Sequence, residues 1–405
     1  MARFAMVNNW PGPSGIDGVD LPDIVSFDGV SQARNFGFSV RDSEVLLATD
    51  EPTEDNYQAC LRMDASRFFV VVSPYAGGNV NWYVVSVDWA TWTLTVDGSG
   101  SLTYAVIEKR LFKLDATHVV LAGRTGTAAY INVLTVDLDT PGVTEGSSLN
   151  VAPNATRTLG IVQLADPYYF FTGYYYAGTY RYALRKVDSS DYSLSTTYGP
   201  SSLTSCDGPY HDITYDATNE LVIVGYEAGG DYDCCAIECK SPYTSTTDGT
   251  PFEIDTSDME TDIRILFLYQ DGTYSYGMSF GRASSTSTAV NVRTFRIDIS
   301  ALTGATSSQY ADAGDGYPDE QWVHRLDFET AGIIMLNTSS DFRQFVYQIA
   351  STWSDAPTLE ATNDILGTTD EFRGWSGVML TDQLLFLVYG NVTDSESLFS
   401  IVTFT

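Results

Sequence analysis

The chain has 405 residues, 44% of them hydrophobic, so it is long enough to bury a large core and its composition is not that of a disordered protein. It carries 52 acidic residues against 21 Lys and Arg, which gives a formal net charge of −31. This balance argues against binding to nucleic-acid phosphates and against docking on anionic lipid, because both require clusters of basic side chains.

The N-terminal segment, residues 1–44, lies outside any repeat of the sequence. It shows no apolar stretch or cleavage site of a Sec signal peptide, and no window of the chain reaches the ~18 apolar residues of a membrane helix. We therefore expect a virion protein or an extracellular protein exported without a Sec signal, with the cytoplasm as the alternative. The segment is either a tail packed across its own domain or an arm docked on a neighbouring subunit, with Trp10 as the assembly anchor.

From residue 57 onward, an apolar strand, a turn containing Asp and a second, more apolar strand recur seven times. The turns are marked by Asp64, Asp115, Asp166, Asp216, Asp271, Asp327 and Asp382, at intervals of 51, 51, 50, 55, 56 and 55 residues. In five repeats a later strand ends in an apolar residue followed by an acid, at Asp88, Asp137, Asp188, Glu238 and Asp298. Each repeat therefore predicts four short strands joined by turns of Gly, Ser, Asp and Thr.

Four-stranded repeats of about 50 residues are typical of a β-propeller. The chain resembles the seven-bladed β-propeller superfold, although it has neither WD40 nor kelch motifs. The resemblance implies an all-β protein with four-stranded antiparallel blades and an N-terminal arm or extension at 1–44. The propeller would occupy residues 45–405, with repeats near 57–99, 104–146, 157–198, 210–250, 260–308, 321–360 and 372–405.

The seventh repeat ends before its fourth strand. Asp382 lies 23 residues from the C terminus, which is where the third strand of a repeat ends. Because an unpaired sheet edge is avoided in proteins, we expect residues 45–49 to supply the missing outer strand and to pair with residues 401–404. This would close the ring with one N-terminal and three C-terminal strands.

The loops between the second and third strands are expected to lie at one mouth of the central channel. Five of these loops are preceded by a glycine that we expect to adopt a positive φ: Gly123, Gly173, Gly225, Gly281 and Gly390. The loops of repeats three and four are rich in Tyr and acids. The predicted ligand-binding residues are Trp82, Arg124, Tyr175, Tyr176, Tyr180, Asp231 and Tyr232. Their rings would cover the C–H patches of a sugar; the alternative is that these tyrosines only pack between blades.

No sequence motif indicates a catalytic or metal centre. Five Cys residues are too few for a disulfide framework, and Cys235 and Cys239 have no neighbouring His, so buried thiols are expected rather than zinc ligands. We expect no cofactor, with Ca²⁺ as the alternative because segment 312–320 is acidic. This segment lacks EF-hand spacing and is expected to be a solvated loop. GxSxG and HExxH motifs are absent, and His118 is expected to be structural, so we do not expect an enzyme.

These patterns predict a non-catalytic structural or adhesion module. The most specific hypothesis is a virion component, such as a phage tail or fibre protein, that presents a propeller face for assembly or receptor binding. Its partners would be copies of itself, other virion proteins or a cell-surface glycan, with no nucleic acid and no membrane insertion. The alternatives are a carbohydrate-active enzyme or lectin acting at the channel mouth, and a cytosolic scaffold that binds peptides.

Overall fold

A computed structural model of the chain describes residues 38–48, 58–73, 78–125, 128–153, 159–176, 178–203, 211–229, 231–255, 261–282, 289–307, 311–325, 329–337, 342–350, 352–366, 372–381, 384–391 and 396–404. These residues form antiparallel strands joined by turns, and none of them is helical. The strands make seven four-stranded blades, which confirms the seven-bladed β-propeller. Trp10, Asp327 and Asp382 lie outside the described residues, so the docking arm stays a prediction.

The strands are numbered in chain order, starting with β1 (Phe38–Ala48). Blade 1 contains β2 (Ala59–Arg62), β3 (Arg67–Val72), β4 (Asn81–Asp88) and β5 (Thr93–Ser101). Blade 2 contains β6 (Ile107–Lys113), β7 (His118–Arg124), β8 (Ala128–Asp137) and β9 (Gly142–Pro153). Blade 3 contains β10 (Leu159–Gln163), β11 (Tyr169–Tyr176), β12 (Thr179–Val187) and β13 (Leu194–Leu203).

Blade 4 contains β14 (His211–Asp216), β15 (Leu221–Ala228), β16 (Asp231–Glu238) and an outer strand in two pieces, β17 (Thr247–Asp248) and β18 (Phe252–Asp255). Blade 5 contains β19 (Thr261–Gln270), β20 (Tyr274–Arg282), β21 (Ala289–Asp298) and β22 (Thr303–Thr306). Blade 6 contains β23 (Ala311–Arg325), β24 (Thr330–Asn337), β25 (Phe342–Gln348) and β26 (Thr358–Leu366). Blade 7 contains β27 (Phe372–Thr381), β28 (Leu384–Asn391) and β29 (Glu396–Phe404), with β1 paired to β29.

Several strands extend beyond the predicted repeats. β9 runs to Pro153 and β13 to Leu203, past the expected ends at 146 and 198, because a β-bulge lets each outer strand resume pairing after its first half. The acidic segment 312–320, expected to be a solvated loop, is instead part of β23. The start of β23 pairs with β21 of blade 5 and the rest pairs with β24 of blade 6, so one strand belongs to two blades.

β1 is longer than the expected closing strand and has a different register. Residues 38–40 pair with residues 402–404, and Val45 pairs with Phe399 rather than with residues 401–404. A register shift between Val40 and Glu44 accommodates the extra residues. Residues 38–44, assigned from the sequence to the N-terminal arm, are therefore part of this strand. Leu47 is buried in a cluster that also holds Phe68 of blade 1 and Phe386 of blade 7, whose rings stack at 4.1 Å.

The hydrophobic core lies between neighbouring blades. One cluster joins Phe171 and Leu184 of blade 3 to Val222 and Val224 of blade 4, all fully buried or nearly so. Further clusters join blade 1 to blade 2, blade 2 to blade 3, blade 4 to blade 5 and blade 5 to blade 6 in the same way. Strands that are buried on both faces explain the nearly continuous apolar runs of the sequence.

The recurring aspartates hold the turn between the first and second strands. Asp115 Oδ1 accepts the N–H groups of Thr117 and His118 at 2.9 and 2.8 Å. Equivalent bonds to residues two or three positions ahead are accepted by Asp64, Asp166, Asp216 and Asp271. The later acids do the same in the turn between the third and fourth strands, where Asp137 and Asp298 each accept two N–H groups. The repeated acids are therefore turn residues in the five described cases of the first kind.

Candidate functional site

Three of the predicted ligand-binding aromatics are core residues. Tyr180 and Tyr232 are fully buried, and Trp82 is 7% exposed against Gly100 of the adjacent outer strand. The Tyr180 hydroxyl lies over Gly173, where a Cβ would come within 1.7 Å of it. The Tyr232 hydroxyl lies over Gly225 in the same way. These rings pack inside and between blades, as in the alternative that the sequence left open.

The other predicted residues are partly exposed near the loops between the second and third strands. Tyr175 and Tyr176 end β11, and the Arg181 guanidinium covers the Tyr176 ring at 4.7 Å. Arg124 ends β7 of blade 2, and Asp231 begins β16 of blade 4. The structure therefore places four of the seven residues at this loop face, on three different blades.

The glycines that precede these loops do not have the predicted role. Gly173 and Gly225 have ordinary backbone angles, whereas the positive φ values belong to Gly178 (80°) and Gly229 (64°) within the turns themselves. Gly173 and Gly225 instead leave room for the tyrosine rings of the next strand.

The inner strands carry a charge pair that links three blades. Arg110 Nη2 of blade 2 lies 3.1 Å from Asp212 Oδ1 of blade 4. Asp212 Oδ2 accepts the backbone N–H of Ile265 in blade 5 at 3.0 Å. Both carboxylate oxygens of this buried Asp212 are thus used inside the ring, which gives the pair a structural role.

The opposite side of the ring is here called the turn face, and it holds the turns between strands 1 and 2 and between strands 3 and 4 (residues 63–66 and 89–92 in blade 1). In several blades an aromatic residue of the second turn packs on the preceding blade. The Tyr192 ring of blade 3 stacks on His118 of blade 2 at 3.6 Å, and its hydroxyl donates to Asp115 Oδ2 at 2.7 Å. The Tyr243 ring of blade 4 contacts Tyr169 of blade 3 at 4.8 Å.

Blades 5 and 6 leave a cleft of about 420 Å³ on the turn face. Its lining combines aromatic, polar and small apolar side chains: Tyr269, Tyr276, Glu329, Gln348, Ile349, Ala350, Trp353 and Thr358. The volume lies within the ~300–1,000 Å³ that is usual for small-molecule sites. This cleft is the candidate site in the described part of the chain.

Aromatic contacts organise the walls of the cleft. The Tyr269 and Tyr276 rings stack at 4.6 Å with an interplanar angle of 13°. The Arg296 guanidinium lies 3.9 Å from the centre of the Trp353 ring and 4.3 Å from that of Tyr274. The Trp353 carbonyl accepts a hydrogen bond from Thr294 Oγ1 at 2.7 Å. These contacts fix the orientation of the rings before any ligand arrives.

Polar groups of the cleft include both donors and acceptors. Gln348 Nε2 lies 3.5 Å from Glu329 Oε2, at the limit of a hydrogen bond. The Tyr276 hydroxyl donates to Asp271 Oδ2 at 3.0 Å. Burial raises the pKa of Tyr269 to about 12, so its hydroxyl stays protonated at neutral pH.

Sequence reasoning missed this cleft because it looked for ligands at the loop face. A usable signal was nonetheless present. An aromatic residue follows the end of the third strand by four or five positions at Trp92, Tyr192, Tyr243 and Trp353. Aromatic residues repeated in a turn that is otherwise polar indicate a contact surface.

Within the described residues, no group of three His, Cys, Asp or Glu side chains is placed to hold a metal ion. Cys60, Cys234, Cys235 and Cys239 are buried, and burial raises the pKa of Cys235 to about 12. The described residues include no membrane-spanning helix.

No family model and no curated protein matches the sequence. Among solved structures, the chain is similar to the periplasmic gluconolactonase PpgL of Pseudomonas aeruginosa, with 12% identity, a TM-score of 0.54 and coverage of 77% of this chain and 85% of that chain. It is also similar to the WD40 domain of Toxoplasma gondii coronin, with 9% identity, a TM-score of 0.56 and coverage of 92% of this chain and 86% of that chain. These similarities show the propeller fold, which hosts both enzymes and binding domains.

Proposed function

We propose that the protein is a non-catalytic binding module of the structural or adhesion type, which recognises its partner at the turn face. The observation that carries the proposal is the cleft between blades 5 and 6, where aromatic walls and polar groups converge. Concave sites with a few oriented polar groups are where propellers and other rigid scaffolds bind ligands.

Two carboxylates of the turn face, those of Asp271 and Asp298, are not suited to act as general acids. Burial raises the pKa of Asp271, but the N–H groups of Tyr274 and Thr273 outweigh it, so the pKa lies below its usual value. Bonds from the Ala301 N–H and the Ser300 hydroxyl lower the pKa of Asp298. A glycosidase acid needs the opposite shift, because it must hold a proton at neutral pH.

A combined binding and turnover assay tests this proposal. The full chain is applied to arrays of glycans and peptides, and each retained ligand is recovered and weighed by mass spectrometry. We expect retention that is lost in Trp353→Ala, kept in Tyr176→Ala at the loop face, and accompanied by no change in ligand mass. Conversion of a retained ligand, or retention that ignores the Trp353 change, would contradict the proposal.

The finer hypothesis within this proposal is a virion component. The charge of the chain supports this hypothesis, because an acid-rich chain with 4 Lys residues stays soluble at the high ionic strength of a saline environment. Mass spectrometry of purified particles tests this role: the chain should be present in stoichiometric amounts, and its absence from particles would exclude the role.

A further inference from the structure

We infer that the cleft between blades 5 and 6 is a carbohydrate-binding subsite that accepts a neutral sugar ring. The inference rests on the proposed binding function and names its ligand class. It differs from the sugar site expected from the sequence, which was placed at the loop face.

The cleft lies at a position where blade 6 differs from blade 4. The N–H of Ile349 bonds to the carbonyl of Glu329 at 2.9 Å, as the N–H of Cys239 bonds to the carbonyl of Glu220 in blade 4. Four residues further on, Trp353 therefore corresponds to Tyr243.

In blade 4 this corner of the turn face is filled by protein. The Tyr243 hydroxyl donates to Glu220 Oε1 at 3.1 Å, and its ring packs on Tyr169. In blade 6 an indole replaces the phenol and packs on Arg296, and the space beside it remains open as the cleft.

The groups that line the cleft match a sugar ring. Aromatic rings can cover the C–H surface of a pyranose, and Trp353, Tyr269 and Tyr276 line the cleft. The Glu329 carboxylate accepts hydrogen bonds from hydroxyls, while the Gln348 amide both donates and accepts. Thr358 adds an exposed hydroxyl group at the margin.

Charge and ring geometry disfavour other small ligands. An aromatic cage for a quaternary ammonium group needs rings that face one point, but Tyr269 and Tyr276 are parallel and stacked. The Arg296 guanidinium already occupies a face of Trp353 and repels a second cation. Anionic ligands are disfavoured by Glu329 and by the net charge of −31.

The experiment is a titration of the full chain with maltose, cellobiose, lactose, N,N′-diacetylchitobiose and choline, followed by ligand-observed NMR and tryptophan fluorescence. We expect at least one saccharide to bind and choline not to bind. Its affinity should fall at least tenfold in Trp353→Ala and in Gln348→Ala. Tyr176→Ala, on the opposite face, and Tyr243→Phe, at the filled corner of blade 4, should bind as the parent does.

Melting curves accompany each variant, and Gln348→Ala decides the result if Trp353→Ala unfolds. The inference is overturned if none of the four saccharides binds, if choline binds in their place, or if binding survives in a folded Gln348→Ala variant. If array ligands of another class are still lost in Trp353→Ala, the sugar inference fails while the binding module stands. If turnover is found, the proposed function itself fails.

Discussion

At the scale of single residues, the aspartates that recur along the sequence are explained by their hydrogen bonds in turns. Each described aspartate of the first turn uses its carboxylate to accept backbone N–H groups from residues two or three positions ahead. Asp115 does more, because its second oxygen accepts the Tyr192 hydroxyl of the next blade. One side chain thus closes a turn and joins two blades.

Asp115→Ala should therefore destabilise the protein by about 2 kcal/mol, since hydrogen bonds to a charged group contribute ~1.5–3 kcal/mol. Chemical denaturation followed by tryptophan fluorescence measures the change. The matched control is Glu253→Ala, which removes an exposed acid from the outer strand β18. Equal denaturation midpoints for the two variants would show that the Asp115 bonds do not matter.

The pair of Gly173 and Tyr180 shows why a glycine recurs before the loop. A Cβ at position 173 would lie 1.7 Å from Tyr180 Oη and 2.4 Å from Cζ, and the fully buried ring has no space to retreat. Gly173→Ala should therefore cost about 3 kcal/mol from overpacking.

Gly178→Ala provides the comparison, since nothing lies within 4 Å of that Cβ and only the φ of +80° is strained. It should cost about 1 kcal/mol, measured in the same denaturation experiment. A larger loss in Gly178→Ala than in Gly173→Ala would refute the packing explanation.

At the scale of strands and turns, β1 covers the outer edge of blade 7. This strand pairs with β29 along most of its length and buries Leu47 against blades 1 and 7. Without it, β29 would be an unpaired edge.

Deletion of residues 1–48 should cost more than about 4 kcal/mol, from one buried leucine and several backbone hydrogen bonds. Deletion of residues 1–34 keeps β1 and is the control. Differential scanning calorimetry of both truncations should show a lower Tm only for the longer one. A parent-like Tm after removal of β1 would mean that blade 7 is stable with three strands.

The sequence predicts those features of the fold that depend on short patterns repeated along the chain. The aspartate turns, the apolar strands and the missing fourth strand of blade 7 follow from turn chemistry, burial and edge pairing. The register of β1 did not follow, because a bulge at residues 40–44 shifts the pairing in a way that alternation cannot reveal. Nor did the cleft, since Trp353 and Tyr269 lie more than 80 residues apart in the chain and meet only through the packing of two blades.

At the scale of the whole molecule, two electrostatic effects oppose each other. The net charge of −31 produces self-repulsion at neutral pH, which acidification toward the pI of about 4.1 relieves. The turn aspartates act in the other direction. The N–H groups of Ala90 and Thr140 lower the pKa values of Asp88 and Asp137, respectively, and burial of Asp115 is outweighed by its hydrogen bonds, so its pKa is lowered as well.

A carboxylate whose pKa is lower in the folded state stabilises the fold above its unfolded pKa of ~3.9, and this contribution is lost as the pH falls through the folded value. The Tm should therefore rise from pH 7 to about pH 5 and fall below about pH 4. At pH 7, ~0.5 M NaCl should raise the Tm by screening the repulsion. A Tm that continues to rise from pH 5 to pH 3 would contradict the stabilising role of the turn aspartates.

The shared strand β23 gives blades 5 and 6 a common backbone. It is hydrogen-bonded to β21 through residues 311–315 and to β24 through residues 316–325, so neither blade can swing away from the other without breaking the ladder. β23 joins the two blades at the loop face, whereas the cleft lies between them at the turn face. The two blades, and with them the walls of the cleft, should therefore exchange their amide hydrogens as one cooperative unit.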